Sequence, residues 1–410
     1  MANQINNKAA SLFSIPVIVA ALGYFVDIYD LLLFLIVRVP SLKSLGLSEE
    51  MISSNGMEII SHQMWGLLIG GIVWGMMGDK KGRLSVLFGS ILLYSLANIA
   101  NGFVNTIEQY SICRFIAGIG LAGELGAGIT LVSELVPKER RGIATSLVAG
   151  IGLSGAVLAY FISQHFDWRV CYYIGGGLGL TLLLLRVSVF ESGMFKTIQH
   201  AEVSKGNFLM FFTNGKRFKK YLLSILIGLP TWYVIGILVG FSKEFGTHFG
   251  IEEAINPAKA VMLAYVAISI GDIAIGFVSQ ALRSRKKALF IFYAITVVAI
   301  ILYFNQSNGS AGQMYALCAL LGFGTGFWAI FVTMAAEHFG TNLRATAATT
   351  VPNMVRGALP LMVFMFKGMQ PELSYVTAAA ITGVIVMLIS IIAAFLTEET
   401  FGKDLDFLEH

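Results

Sequence analysis

Twelve stretches of this chain stay apolar for roughly the twenty residues that a helix needs to cross a bilayer, and no other feature constrains the fold as tightly. They lie near residues 13–38, 59–78, 84–104, 109–133, 142–164, 169–189, 220–242, 258–282, 287–304, 312–335, 345–368 and 373–397, separated by charged or Gly/Pro-containing turns. Only 13% of the 410 residues are charged, about half the share of a soluble domain, and 56% are hydrophobic. The pattern predicts an all-α membrane protein. The first apolar run is a full span with no small-residue cleavage site after it, so it is expected to be retained. Cys113, Cys171 and Cys318 fall inside spans or at their ends and predict no disulfide framework.

The longest hydrophilic interruption, 190–219, divides the chain into an N-terminal bundle (1–189) and a C-terminal bundle (220–410) of six helices each, joined by a linker loop. The halves repeat one another. Glu134 ends the fourth span and Arg141 opens the fifth; Glu337 and Arg344 stand in the same relation to the tenth and eleventh, about 203 residues further on. That offset fits two parallel, pseudo-symmetric repeats. Of 28 Lys and Arg, about twenty fall in the termini, the linker and the loops on its side, and about six fall opposite. Basic loops are retained in the cytoplasm, so both termini and the linker are expected there. The basic loops then require no nucleic acid as partner.

Five charges violate the apolar pattern: Asp27, Asp30, Arg114, Glu124 and Arg356 lie deep within spans. A charge near a helix centre costs about 2.5–3.5 kcal/mol on insertion scales, so such residues face a bundle interior or a wet cavity. They are the first candidates for a substrate or proton pathway. Arg356 lies about twelve residues into its span, and its planar fork suits a carboxylate or phosphate. No acidic residue lies within a turn of it in sequence. Its partner is therefore either a bound anion or Asp27, Glu124 or Asp272 from another span. Asp272 reads equally as an ion partner or a helix-packing residue. Glu124, near the midplane, is a second protonation site, a contact for the substrate, or a protonated packing residue. Tyr29, Trp232, Tyr233 and Trp328, with Tyr24, Trp65 and Phe327, are candidates to wall a cavity, and Pro230 and Pro352 are placed to soften spans seven and eleven. The histidines show no metal-ligand spacing, and no cofactor or catalytic group is expected. Gly118-x-Gly120-x-x-Gly123 matches a dinucleotide-binding pattern but sits mid-membrane without a strand, which favours helix packing.

Gly75-x-x-Gly78-Asp79-Lys80-x-Gly82-Arg83, between spans two and three, resembles the loop signature of the major facilitator superfamily, and Glu134 with Pro137, Arg140, Arg141 and Gly142 resembles its signature after span four. Gly23-x-x-x-Asp27-Ile28-Tyr29-Asp30 and Arg114-Phe115-x-x-Gly118-x-Gly120-x-x-Gly123-Glu124 are similar to spans one and four of the metabolite:proton symporters. Asp27-x-x-Asp30 also resembles the acidic pair of the aromatic-acid:proton symporters. The stretch from Glu337 through Arg344 to Arg356-Gly357 resembles span eleven of organic anion transporters, where an arginine at the position of Arg356 is associated with anion recognition. Leu67-Leu68 stands where the metabolite:proton symporters often carry Arg-Pro.

The resemblance implies a twelve-helix transporter with spans one and four as neighbours. Asp27 and Asp30 share one helix face, about 16 and 12 Å below the outer end of span one, and Arg114 enters span four about 8–10 Å down. Asp30 and Arg114 can then meet. Competition between a proton and Arg114 for the carboxylate would couple protonation to movement of the halves; the alternative is a static ion pair. Asp79, Arg83, Glu134, Arg141, Glu337 and Arg344 are expected to gate, Asp79 at the end of span eleven and Arg83 with Glu134 and Arg141 as a charge network. The expected function is import of an organic anion, a carboxylate-bearing metabolite, with protons, by a monomer among the lipids of a bacterial inner membrane. An efflux antiporter for hydrophobic or cationic compounds and a non-transporting receptor are the alternatives. In the first of these, Asp27, Asp30 and Glu124 would bind the cation directly.

Overall fold

The helices outrun the apolar stretches that predict them. The computed structural model describes residues 14–137, 140–185, 207–307 and 309–409. Among these, twelve membrane-length rods run in order: α1 (Ile15–Ser44), α2 (Glu49–Lys81), α3 (Arg83–Asn101), α4 (Ile107–Leu121 then Glu124–Leu135), α5 (Arg141–Leu153 then Gly155–His165) and α6 (Trp168–Leu185) form the first half. The second half consists of α7 (Gly215–Tyr233 then Val234–Val239), α8 (Pro257–Leu282), α9 (Arg285–Phe304), α10 (Ala311–Gly324 then Trp328–His338), α11 (Arg344–Gly357 then Leu359–Met369) and α12 (Tyr375–Leu396). α1 continues past residue 38 to Ser44, and α2 begins at Glu49 rather than 59. A helix stops where its backbone must turn, here at Gly46 with φ 87°, and not where hydropathy falls. Residues 190–206 of the expected linker lie outside the described residues; its remainder forms the helical turn Met210–Thr213 and the start of α7.

Four rods are broken, where the sequence predicts continuous spans. The breaks fall at Ala122–Gly123, Ser154, Thr325–Phe327 and Ala358. They repeat at the offset of the sequence signatures: 325 − 122 is 203 and 358 − 154 is 204. Glycine lies behind the close packing at two of them. A side chain at Gly118 would approach the Gln63 carbonyl of α2 to 2.3 Å, and one at Gly322 the Ala264 carbonyl of α8 to 2.2 Å. Eleven rods are long and apolar enough to cross a membrane. The twelfth, α11, is broken before Pro360, and its polar first half, Thr346 to Arg356, is buried almost completely. Protein rather than lipid surrounds it, which is why so many threonines are tolerated there.

The halves meet along α2 against α11 and α5 against α8. At the end carrying the basic loops (the basic end) the seam is closed. Toward the opposite end a chamber of about 400 Å³ lies between the halves, with Arg38, Glu244 and Lys367 among its lining residues.

Candidate functional site

Ten residues from both halves enclose a cavity of about 20 Å³: Tyr24, Ile28 and Leu31 on α1 and Leu153 on α5 face Thr231 and Trp232 on α7, Tyr265 and Ile268 on α8, Trp328 on α10 and Arg356 on α11. Trp232 also lines the larger chamber, so its indole is a wall shared by the two spaces. It stands at the weakest point of α7. Pro230 removes one backbone donor there, and the next turn, Val234–Val239, is a π-helix.

Arg356 is 2% exposed. Its Nη1 donates to Asn353 Oδ1 at 2.9 Å, and its Cζ lies 5.5 Å from the centre of the Trp328 ring. Among the described residues no carboxylate lies within ion-pair distance of it. Its Nε, Tyr24 Oη, Thr231 Oγ1, Trp232 Nε1 and Trp328 Nε1 are all buried without a hydrogen-bond partner among the described residues. Five buried donors thus line one small cavity. Thr231 and Tyr265 carry no sequence signal of their own; only the register of α7 and α8 brings them here.

Tyr29 and Tyr233, expected to line the cavity, point elsewhere. Tyr29 Oη donates to the Cys171 carbonyl of α6 at 2.8 Å, and Tyr233 Oη to the Ala379 carbonyl of α12 at 2.7 Å. Each ties the first rod of its half to the last, and both are fully buried.

Asp30 and Arg114 meet inside the first half. Arg114 Nη1 lies 3.3 Å from Asp30 Oδ1, Nη2 donates to Asn98 Oδ1, and the guanidinium carbon sits 4.8 Å from the Tyr172 ring centre. Neither charge has any solvent exposure. Asp27, one turn earlier, is 1% exposed. Because α4 is broken, Glu124 is not mid-helix as expected but lies in the first turn of Glu124–Leu135. A carboxylate there complements the positive end of the helix dipole. Asp272 does comparable work from a distance: its Oδ1 accepts the Ala329 N–H at 2.9 Å, capping the restarted half of α10.

At the basic end the contacts cross between halves. Asp79 on α2 caps α11, accepting the N–H groups of Ala345 at 3.1 Å and Thr346 at 2.8 Å and the Thr346 hydroxyl at 2.7 Å. Glu134 on α4 pairs with Arg344 on α11 at 3.0 Å, with both side chains covered. Arg344 Nη2 also donates to the Leu405 carbonyl of the C-terminal tail. Glu134 thus reaches the other half, while its expected network with Arg83 and Arg141 involves side chains that lie outside the described residues. Glu337 pairs with Arg285, at 3.1 and 3.4 Å. In the sequence Arg285 belongs to a degraded counterpart of the Gly78–Arg83 loop, from Ser279-Gln280 through Arg283 and Arg285, and 285 − 203 is 82, beside Arg83.

The chain matches the major facilitator superfamily model over residues 20–357. It is 25% identical to the niacin transporter NiaP of Acinetobacter baylyi, covering 85% of this chain and 86% of that protein. It is 26% identical to the 3-(3-hydroxy-phenyl)propionate transporter of Escherichia coli K12, over 80% and 81% respectively. Its fold superposes on the proton:xylose symporter XylE with a TM-score of 0.78 at 18% identity, covering 96% of this chain and 97% of that one. Twelve rods in two pseudo-symmetric halves, a cavity on the seam and these matches agree: the chain belongs to the major facilitator superfamily, and it is a membrane transporter, not an enzyme.

Proposed function

We propose that this transporter imports a small organic anion, a carboxylate-bearing metabolite, together with protons. The observation that carries the reading is Arg356, a buried charge at the seam with no carboxylate partner among the described residues, beside four other unpartnered donors. A carboxylate only accepts hydrogen bonds and brings the missing counter-charge, so it complements such a wall. Trp232, Trp328, Tyr24 and Tyr265 put four aromatic side chains in the wall, which suits an aromatic substrate. The two relatives are named for niacin and 3-(3-hydroxy-phenyl)propionate, both aromatic carboxylic acids. A 20 Å³ cavity holds about one water. The anion therefore arrives from the 400 Å³ chamber as Trp232 swings aside.

Protons are carried by Asp30, with Asp27 and Glu124 as further sites and Arg114 as competitor for the Asp30 carboxylate. An anion that crosses with a proton avoids opposing an inside-negative potential worth about 2.3 kcal/mol per charge per 100 mV. The basic end faces the cytoplasm of a bacterial inner membrane, with both termini on that side, so the chamber faces outward. Residues 1–189 and 220–410 rock as two bodies about the linker 190–219, and the protein acts as a monomer. Asp79, Arg83, Glu134, Arg141, Glu337 and Arg344, joined by Arg285, hold the cytoplasmic side shut.

The test is uptake by proteoliposomes under an imposed pH gradient, acid outside. Nicotinate or 3-(3-hydroxyphenyl)propionate is expected to accumulate, and Arg356→Ala to abolish accumulation. Efflux of lipophilic cations, with Arg356→Ala fully active, would remove the reading.

A further inference from the structure

A second cavity, of about 300 Å³, opens at the basic end, away from the seam. It is lined by Lys216, Lys219, Lys220 and Leu223 at the start of α7, His338 at the end of α10, and Leu396, Thr397 and Glu398 at the end of α12. All belong to the second half, and none takes part in the transport site. Three lysines face one carboxylate, Glu398, whose Oε2 lies 3.6 Å from Lys220 Nζ at a largely exposed position. His338 is the informative member. It is 1% exposed, yet neither ring nitrogen has a hydrogen-bond partner among the described residues. A buried imidazole without such a partner is unusual, because leaving a buried polar group unpaired is costly. Lys403 stands close by as well: burial and the neighbouring Lys220 charge hold its ammonium below the ordinary lysine range, against the pull of Glu398, Glu409 and Glu337. Among the residues that line the cavity itself, three lysines outnumber the single carboxylate, and an imidazole N–H is available to donate.

We propose that the cavity framed by Lys216, Lys219, Lys220 and His338 binds a phosphate group, that of an anionic phospholipid headgroup. Lysines supply point charges to phosphate oxygens, and basic pockets between helix ends at the membrane surface suit such headgroups. Leu396 lines the cavity and is 55% exposed, and Phe395 and Leu222 beside it are 66% and 39% exposed, so acyl chains would lie along an apolar strip continuous with the site. Bound phosphate would replace Glu398 as partner of Lys220 and tie together the ends of α7, α10 and α12. His338 adjoins Glu337, the partner of Arg285, so the occupant would brace one side of the closed basic end.

Delipidated full-length protein in detergent is titrated with phosphatidylglycerol, phosphatidylcholine or inorganic phosphate, and binding is read by native mass spectrometry. Phosphatidylglycerol is expected to bind well above phosphatidylcholine. The variant Lys216→Gln/Lys219→Gln/Lys220→Gln should bind it on the order of 100-fold more weakly, about fivefold per lysine. Lys80→Gln/Lys81→Gln, exposed on α2 at the same end, controls for general attraction and should change binding less than twofold. His338→Phe keeps the bulk and removes the donors, and should weaken binding about fivefold to tenfold. Inorganic phosphate competing as strongly as the lipid would keep the phosphate site and assign it to a soluble ligand. Equal binding of both lipids, or equal losses in the lysine variant and the control, would overturn the proposal.

Discussion

Asn353 holds Arg356 in place: one helical turn before it on α11, its side-chain oxygen accepts from Nη1 at 2.9 Å while its Nδ2 donates to the Ala122 carbonyl at 3.0 Å. Ala122 is the break in α4, two residues before Glu124. One amide therefore joins the arginine of the second half to the weakest point of a rod in the first. An anion that draws the guanidinium toward the cavity also pulls on this link. Loading of the site and movement at the seam share a physical connection.

Arg356→Lys keeps the charge and loses the fork and its contact with Asn353, whereas Arg356→Ala removes both. Hydrogen bonds to a charged group are worth about 1.5–3 kcal/mol, which corresponds to roughly tenfold to hundredfold in affinity. Arg356→Lys should raise KM for the carboxylate by about tenfold, and Arg356→Ala by a hundredfold or more. Asn353→Ala touches no ligand directly and should act mainly through the orientation of the guanidinium, raising KM severalfold. Initial uptake rates against substrate concentration measure all three. An unchanged KM in Arg356→Ala would end the argument for a negatively charged cargo.

Asp30→Asn keeps the shape of the Asp30–Arg114 contact and removes the proton-binding carboxylate. Accumulation driven by a pH gradient should be lost, while counterflow exchange of labelled for unlabelled substrate, which needs no net proton movement, should persist. Equal loss of both would mean that the pair is a static lock between α1 and α4. Comparison of the two assays in one preparation decides it.

How far the sequence reaches is seen in the same residues. Hydrophobic periodicity marks the twelve rods because lipid demands long apolar runs, and depth arithmetic places Asp30 and Arg114 at one level because helix rise is fixed. The 203-residue offset, carried by Glu134, Arg141, Glu337 and Arg344, anticipates the repetition that the helix breaks display. The breaks themselves are not legible. Ala122–Gly123 and Thr325–Phe327 interrupt runs that stay apolar throughout, so Glu124 looks mid-helix when it opens a helix. Side-chain direction is equally hidden. Tyr29 and Tyr233 carry the composition of a binding wall, but a rotation of each rod turns their hydroxyls to carbonyls of α6 and α12 and leaves Thr231 and Tyr265 at the cavity.

Glu399 gives a pH dependence outside the membrane. Burial raises its pKa, but the Ser284 hydroxyl and the N–H groups of Phe401, Arg285 and Lys286 together outweigh that and hold it below the ordinary 4.5. A depressed carboxylate contributes stability above its unfolded pKa and loses it as pH falls through the folded value. The purified protein should therefore lose thermal stability below about pH 4.5, and part of that loss should vanish in Glu399→Gln, which is already destabilised at neutral pH. Melting temperatures from pH 7 to 3 for both proteins give the comparison. Parallel curves would show that the cap on α9 contributes nothing.

The closed basic end rests on contacts that only one conformation makes. Glu134 and Arg344 are both covered, and removing one partner of a buried pair costs about 3–5 kcal/mol because the other charge is left uncompensated. When the seam opens, both groups regain water, so Arg344→Gln penalises only the closed state. A shift of about 3 kcal/mol changes the conformational ratio roughly a hundredfold. Gly126→Ala attacks the same seam without touching a charge: its added carbon would meet Thr349 Oγ1 at 2.2 Å and Thr349 Cα at 2.5 Å, across α4 and α11. The backbone atom cannot yield without moving a rod. Both variants should populate a form open at the basic end, read as a longer distance between spin labels at Lys81→Cys on α2 and Arg283→Cys after α8, with the native cysteines replaced. Glu134→Gln/Arg344→Gln should open less than Arg344→Gln alone, since it removes both charges of the pair rather than one. An unchanged label distance in Arg344→Gln and Gly126→Ala would mean that the seam is held elsewhere, with the Asp79 cap of α11 the next place to cut.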